Sequence, residues 1–366
     1  MNRLSAIDAF GPAFARVGAM LFRPFRLGVW LKMGLIGLLG GGAVVSGGGF
    51  NFRAPAMPRN APHGDLPPNA EDLLRAIRSI HLADYFHIFM IAIAVIVVFA
   101  LIFLYLFCRF RFILFDSVVA GLPDMTRGWR KYESQANRYF GFWLAFRLVT
   151  WGTLVLIVGV PLWKAYKSGL FSGDNSLPIF FAIIASVALV ALIVSIAFAI
   201  VSTLAKDFVM PVLALDDLSL GDAWSAVWRV AASEPGAWAA YMGMKLLCAI
   251  GSWIGLSVAF VIAMLPAAIL IGIPVGILVV LGVVAFKTIG AVVGIIICGI
   301  AVLLAVVGFF CLLLILTAPV SVFFTSYALY FFGGRYAKLA ALLWPQPIPP
   351  APISPIAGTQ PVPQRP

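Results

Sequence analysis

The sequence predicts an all-α fold: a polytopic transmembrane helical bundle of about six spans, with an internal repeat and cytoplasmic amphipathic helices. Three observations predict it. The stretch YFHIFMIAIAVIVVFALIFLYLF from Tyr85 to Phe107 carries no formal charge, and a helix crosses the hydrocarbon core in about 20 apolar residues. Similar runs recur along a chain that is 63% hydrophobic and 11% charged, with a mean hydropathy of +1.06; soluble domains carry about 25% charged residues. The basic excess, a formal charge of +11, gathers in short segments beside those runs. With most of the chain in spans, no room remains for a separate soluble catalytic domain of ordinary size, about 100–150 residues.

Residues 1–26 form the first element. Arg3, Arg16, Arg23 and Arg26 lie there, and Phe10, Phe14, Val17 and Leu21 share one apolar helical face. This spacing predicts a helix along the cytoplasmic membrane surface, turning inward at Arg23-Pro24-Phe25-Arg26. No cleavable signal peptide is expected, because the following apolar run lacks a small-residue cleavage motif.

Residues 27–343 form the transmembrane domain. The first span is expected from Leu27 to Val45, with Lys32 snorkelling to the headgroups. The Gly-rich stretch after it lacks the Gly-Lys-Ser/Thr of a phosphate loop. A Pro- and Asn-rich loop follows over 48–68, then an amphipathic surface helix with Leu73, Leu74, Ile77 and Ile80 on one face. The second span is Tyr85–Phe107, the third Phe140–Trp163 and the fourth Ile179–Thr203. The nearly continuous apolar stretch from Gly236 to Phe332 suits two long helices, kinked at Pro266, Pro274 and Pro319 and separated at Lys287-Thr288. Residues 344–366 are a Pro-rich tail expected to be disordered or polyproline-like.

Orientation is read from basic residues in short loops. Arg109, Arg111, Arg127, Arg130, Lys131 and Arg138 lie between the second and third spans. With the basic N-terminal segment and Arg335 and Lys338, they predict both termini in the cytoplasm and the chain in the inner (plasma) membrane. The loop 204–235 is richer in Asp than in Lys and Arg, but acidic residues count little in this rule.

The two cytoplasmic loops resemble each other. Phe112 aligns with Phe208, Trp129 with Trp224 and Trp143 with Trp238, which predicts repeat units over about 85–163 and 179–265. The stretch FVMPVLALD from Phe208 to Asp216, followed by GDAW from Gly221 to Trp224, resembles the repeated motif of certain bacterial membrane proteins. Among these are the membrane domain attached to some glycerophosphodiester phosphodiesterases and related polytopic families. The ending from Pro319 through Tyr327 and Tyr330 to Arg335-Tyr336 is similar to their closing signature. The phosphodiesterase activity in that group belongs to a separate soluble barrel that this sequence lacks, so the resemblance implies a membrane part and no hydrolase.

Candidate residues follow from charge and depth. Arg147 and Lys245 are charges inside spans, at similar places in the two units, and are candidate contacts for an anionic substrate or lipid phosphate. Snorkelling to the interface is the alternative. Arg109, Arg111, Asp116, Trp129, Arg130, Asp207, Trp224 and Arg229 are candidate surface anchors, with Asp116 and Asp207 salt-bridged to neighbouring basic residues. Asp216, Asp217 and Asp222 could chelate a hard cation, but a helix start capped by Ser219 or Asp217 explains them more simply.

The cysteines Cys108, Cys248, Cys298 and Cys311 fall in apolar runs and form no metal pattern with the histidines. No metal, no cofactor and no enzymatic activity are expected, since HExxH, GxSxG and facing aspartyl pairs are missing. The expected partners are membrane lipids, with GxxxG spacings such as Gly37/Gly41 and Gly251/Gly255 allowing a homo-oligomer or a membrane-protein partner. Nucleic acid is not expected.

Two function classes result: a non-enzymatic protein organising lipid or a partner, and a small-solute or lipid transporter. They separate on whether Arg147, Lys245 and the Pro266–Pro274 segment converge on an enclosed cavity.

Overall fold

The computed structural model describes residues 5–41, 82–167 and 176–344. The expected surface helix over 69–80, the Gly-rich stretch after Gly41 and the Pro-rich tail beyond Trp344 lie outside the described residues.

Every element among the described residues is helical. Two helices open the chain, α1 (Phe10–Leu21) and α2 (Leu27–Leu39). Then come α3 (Leu82–Ala120), the short α4 (Met125–Lys131) and α5 (Glu133–Lys167). Helix α6 (Ser176–Leu204) passes through a π-helical turn, Ala205–Val209, into α7 (Met210–Asp216). Helix α8 (Leu220–Ser233) is amphipathic, and α9 (Pro235–Ala267) passes through a second π turn, Ala268–Gly272, into α10 (Ile273–Thr288). Helices α11 (Ala291–Gly333) and α12 (Ala337–Leu343) close the fold.

The long helices share one pattern: one end is buried and the rest is not. In α3 the residues from Cys108 to Val118 are almost all buried, while Phe89, Ile96, Phe99 and Phe103 are exposed. Ala136, Tyr139 and Trp143 of α5 are buried, whereas Leu148, Trp151 and Trp163 are exposed. The same division separates Trp238, Tyr241 and Lys245 from the rest of α9, and the Thr317–Gly333 half of α11 from Val292–Phe310. The molecule is therefore a packed hub from which apolar arms extend. Among the described residues, five helical stretches are long and apolar enough to cross a membrane: Phe89–Ala120, Glu133–Lys167, Phe181–Asp216, Pro235–Thr288 and Ala291–Gly333. Only 0% to 11% of the residues in their most apolar windows are buried. Apolar surface on that scale needs lipid to cover it, and the chain is a multi-pass membrane protein.

Aromatic rings fill the hub. Phe112 packs on Tyr132 and Tyr139 at 5.6 Å, and Tyr139 meets Trp143 edge-on at 6.0 Å. Phe208 lies 4.4 Å from Trp238 and 5.0 Å from Tyr241, which stacks on Tyr327 at 5.2 Å. Such ring pairs each add about 0.5–1.5 kcal/mol beyond their area burial.

Helix α2 is 13 residues long, about 20 Å, short of the hydrocarbon thickness. Its small residues seat it in the hub: a Cβ at Gly34 would collide with the Leu314 backbone, and one at Gly37 with the Ser321 side chain. Gly251 and Gly255 have nothing within 4 Å. Spacing alone cannot separate a seam from an open face.

Helix α1 packs on the hub through a face that only partly matches the expected one, sharing Val17 and Leu21 with it. The face it buries is Ala9, Ala13, Val17, Met20 and Leu21, while Phe14 is exposed and Phe10 leans on Phe323 at 5.3 Å. Small side chains let α1 approach α11 closely, and Arg16 then donates to the Val118 and Val119 carbonyls at the end of α3. Tyr327 adds a hydrogen bond to the Ala6 carbonyl at 3.0 Å.

The expected kink at Pro266 and Pro274 takes another form. The helix continues for 54 residues, Pro235–Thr288, with the π turn between the two prolines absorbing the lost hydrogen bonds. At about 80 Å it is more than twice the hydrocarbon thickness. It reverses at Gly290, whose φ is +145°, into α11. The reversal brings Gly282 and Gly294 together, where a Cβ on Gly294 would lie 2.7 Å from the Gly282 carbonyl oxygen.

Candidate functional site

The hub contains a buried ionic cluster centred on Asp207. Both Lys206 and Asp207 lie in the first π turn, all five of whose residues are buried. Arg111 of α3 donates through Nη2 to Asp207 Oδ1 at 3.2 Å, and Tyr241 of α9 donates to Oδ2 at 2.8 Å. Lys245 forms an ion pair with the same Oδ2. Tyr241 and Lys245 stand four residues apart, so one face of α9 presents both groups to the carboxylate. Arg111 also donates to the Lys206 and Gly40 carbonyls, at 3.2 and 3.5 Å.

This cluster holds more positive than negative charge. Arg111, Lys206 and Lys245 are 5%, 6% and 6% exposed, and Asp207, at 3%, is the carboxylate among them. The Lys206 ammonium makes no hydrogen bond or ion pair among the described residues; it rests 5.5 Å from the centre of the Trp143 ring. The guanidinium of Arg147 sits 5.8 Å from the same ring centre, but its side chain is exposed. Two further donors here, Arg111 Nε and Trp143 Nε1, are buried without an acceptor among the described residues.

The two candidates inside the spans thus occupy different environments. Lys245 is locked to Asp207 in the interior, whereas Arg147 faces outward. Among the candidate anchors, Arg111 and Asp207 pair with each other across 96 positions of sequence, in the interior rather than at the surface. Arg109 is also buried. It contacts Glu133 at 3.2 Å, Tyr105 Oη at 2.9 Å and the Trp129 carbonyl at 3.2 Å, with its guanidinium 5.0 Å from the Trp129 ring centre.

Asp116 forms a second, smaller centre. It accepts from Tyr132 and Lys131, both at 3.0 Å, and lies 3.6 Å from Arg127. Burial works against the Lys131 ammonium, yet Tyr132 and Asp116 beside it raise its pKa above the ordinary lysine value. Burial likewise raises the Tyr132 phenol. Arg130 and Arg229 are exposed, and Trp224 is half-buried with its ring 5.9 Å from Phe142.

The acidic residues of the second loop serve as latches. Asp216 pairs with Lys338, Asp217 accepts from Arg138 at 3.2 Å, and Ser219 caps α8 by accepting from the Asp222 amide. No group of three or more His, Cys, Asp or Glu side chains that could hold a metal ion occurs among the described residues. Asp207 already accepts from three donors. A crevice of about 660 Å³ between α5 and α6 lies far from this chemistry, lined by apolar residues with Lys164 and Ser186.

A family of unknown function, DUF7544, matches over residues 4–342. The chain belongs to that family. No curated protein and no solved structure matches it. The DUF7544 match carries no link to the phosphodiesterase-associated membrane domain that the loop motifs resemble.

Two members of the Asp207 cluster, Lys206 and Tyr241, do not stand out as site residues in the sequence. Lys206 had a local signal, a Lys-Asp doublet closing a long uncharged run. Tyr241 had only its spacing from Lys245.

Proposed function

We propose that this protein is a non-enzymatic component of the inner (plasma) membrane that organises anionic lipid around its hub, with both termini in the cytoplasm. One observation carries the reading: the three features that a transport route would bring together diverge. Lys245 lies inside the hub and Arg147 faces outward. The Pro266–Pro274 segment is about 30 Å along the helix from Lys245, and Ile269, Leu270 and Ile273 on it, like Leu265 just before it, are exposed. Purely apolar side chains there suit acyl chains and offer nothing to a hydrophilic solute.

Charge supports the orientation. Arg109, Arg111, Arg127, Arg130, Lys131 and Arg138 all belong to the hub end, and the basic end of a membrane protein faces the cytoplasm and its anionic leaflet. Aligned positions support two related units: Phe112 and Phe208 are both fully buried, as are Trp143 and Trp238 to within a few per cent.

The test uses the full chain in proteoliposomes. Exposed tryptophans such as Trp129, Trp151, Trp163, Trp228 and Trp253 report which lipid surrounds it. Brominated phosphatidylglycerol should quench tryptophan fluorescence more than brominated phosphatidylcholine at equal mole fraction, and solute flux should equal that of empty vesicles. Equal quenching by the two lipids, or flux above the empty-vesicle level, overturns the reading.

A further inference from the structure

The geometry points to a phosphate-binding site at the membrane-facing side of the hub, formed by Lys206, Arg111, Trp143 and Arg147. Its ligand is the phosphate of an anionic lipid headgroup or a free phosphate ion. In its lipid form the site deepens the lipid-organising function proposed above and rests on it.

Three facts converge. First, the cluster has surplus positive charge: Asp207 satisfies Arg111 and Lys245, leaving Lys206 with the Trp143 ring as its partner. A buried ammonium without a counter-charge is costly, and the face of an aromatic ring returns only part of that cost. An arriving anion would close that gap. Second, the donors left without acceptors belong to the same neighbourhood. Arg111 Nε and Trp143 Nε1 are buried and unsatisfied among the described residues, and native interiors seldom leave such groups without a partner. A phosphate offers several strong acceptor oxygens and suits a guanidinium, an ammonium and an indole N–H together.

Third, the cluster reaches an exposed side chain. Arg147 shares the Trp143 ring with Lys206 but is exposed. It stands on α5 next to Leu148 and Val149, which are 67% and 58% exposed. An acyl chain lying along that arm would bring its headgroup to Arg147 first and to Lys206 next. Lys245 is not part of the site, because Asp207 already holds it.

The experiment uses the intact protein and two variants. Lys206→Met removes no ion pair, and Arg147→Gln alters an exposed side chain, so neither disturbs the Asp207 contacts. Lipid retention is read by native mass spectrometry from mixed micelles of phosphatidylcholine with a small fraction of phosphatidylglycerol. Inorganic phosphate is titrated separately against thermal unfolding in lipid-free detergent. We expect one retained phosphatidylglycerol per chain, with affinity lower by about ten- to a hundredfold in Lys206→Met and by a smaller factor in Arg147→Gln.

Retention that depends on Lys206, without a phosphate-induced shift, identifies the lipid headgroup. A saturable phosphate-induced shift that is lost in Lys206→Met identifies the free ion. If wild type and both variants behave alike with both probes, the site does not exist. If Lys206→Met does not give a monodisperse protein, Arg147→Gln carries the same comparison.

The two proposals fail separately. Preferential quenching by phosphatidylglycerol that persists unchanged in both variants removes the site and leaves the lipid-organising function. A Lys206-dependent phosphate shift without lipid preference does the reverse.

Discussion

The two halves of α11 are made from one continuous helix, yet they solve different problems. From Val292 to Phe310 nearly every large side chain is exposed, and the residues are Val, Ile, Leu, Ala, Gly and Phe with one cysteine, Cys298. From Thr317 to Gly333 the helix is buried and carries Thr317, Ser321, Thr325, Ser326 and Tyr327 among its aromatics. The same contrast divides α3, α5 and α9. Between two helices in lipid there is no hydrophobic drive to associate, because acyl chains are as apolar as leucine; association comes from close backbone approach and polar contacts. The hub has both, in Gly34 and Gly37 against α11 and in the Asp207 cluster. The arms have few of either, apart from the Gly282–Gly294 seam. Polarity inside this membrane protein therefore marks where helices meet, and pure hydrophobicity marks where they part.

Asp207→Ala should break the hub most severely. It leaves Arg111, Lys206 and Lys245 buried without an anion and deprives Tyr241 of its acceptor. Removing one partner of a buried pair costs about 3–5 kcal/mol, a large share of the roughly 5–15 kcal/mol of a typical domain. Thermal unfolding of the detergent-solubilised protein should show loss of the cooperative transition. Adding Lys245→Met to that variant should recover part of the loss, since one unpaired charge is then absent. If Asp207→Ala melts like wild type, the carboxylate is not what holds these helices together.

Val261→Asp tests the arms in the opposite sense. Val261 is 70% exposed, and in water such a change costs within about 0.5 kcal/mol. Near the centre of a helix in hydrocarbon, Asp costs about 2.5–3.5 kcal/mol. The fraction of chain that inserts into membranes should fall accordingly. Insertion at the wild-type level would mean that this arm does not face lipid.

The arms were the more legible half in the sequence, and the reason is physical. Lipid exposure demands only a long apolar run, which Tyr85–Phe107 and the stretch from Gly236 onward display locally. The hub depends on partners distant in the chain. Arg111 and Asp207 each read as a charge beside a membrane exit, and nothing local says that each is the other's partner. The π turn that carries Lys206 and Asp207 has no sequence pattern of its own. Helix α1 shows a related limit: Phe10 and Phe14 dominate its apolar pattern, but the small residues Ala9 and Ala13 decide which face packs. Ser219 was readable as a cap because capping is local.

Glycine substitutions sharpen the contrast at intermediate cost. Gly34→Leu places a side chain where the Leu314 backbone already lies, and overpacking of this kind costs about 1–3 kcal/mol or more when backbone must move. Gly251→Leu adds the same atoms to an arm with nothing within 4 Å, and in the monomer it should leave the melting temperature unchanged. The difference between the two melting temperatures measures how much tighter the hub is than the arms. Equal effects would place Gly251 in a packed seam as well, supplied by another chain.

The smallest effect is expected at the rim of the hub. Lys338 pairs with Asp216 between α12 and α7, but its side chain is 66% exposed, so water and salt screen the pair. Exposed ion pairs contribute about 0.2–1 kcal/mol. Lys338→Gln should therefore lower the melting temperature slightly at low ionic strength and not measurably in high salt, where the Debye length shrinks to about 3 Å at 1 M. The Asp207 cluster is shielded from mobile ions by the helices around it, and its contribution should persist in that same high salt. A salt titration of wild type, Lys338→Gln and Asp207→Ala thus separates rim from interior. If the Asp207→Ala deficit also vanishes at 1 M salt, the cluster is wetter than its burial implies, and the division between hub and arms is one of packing alone.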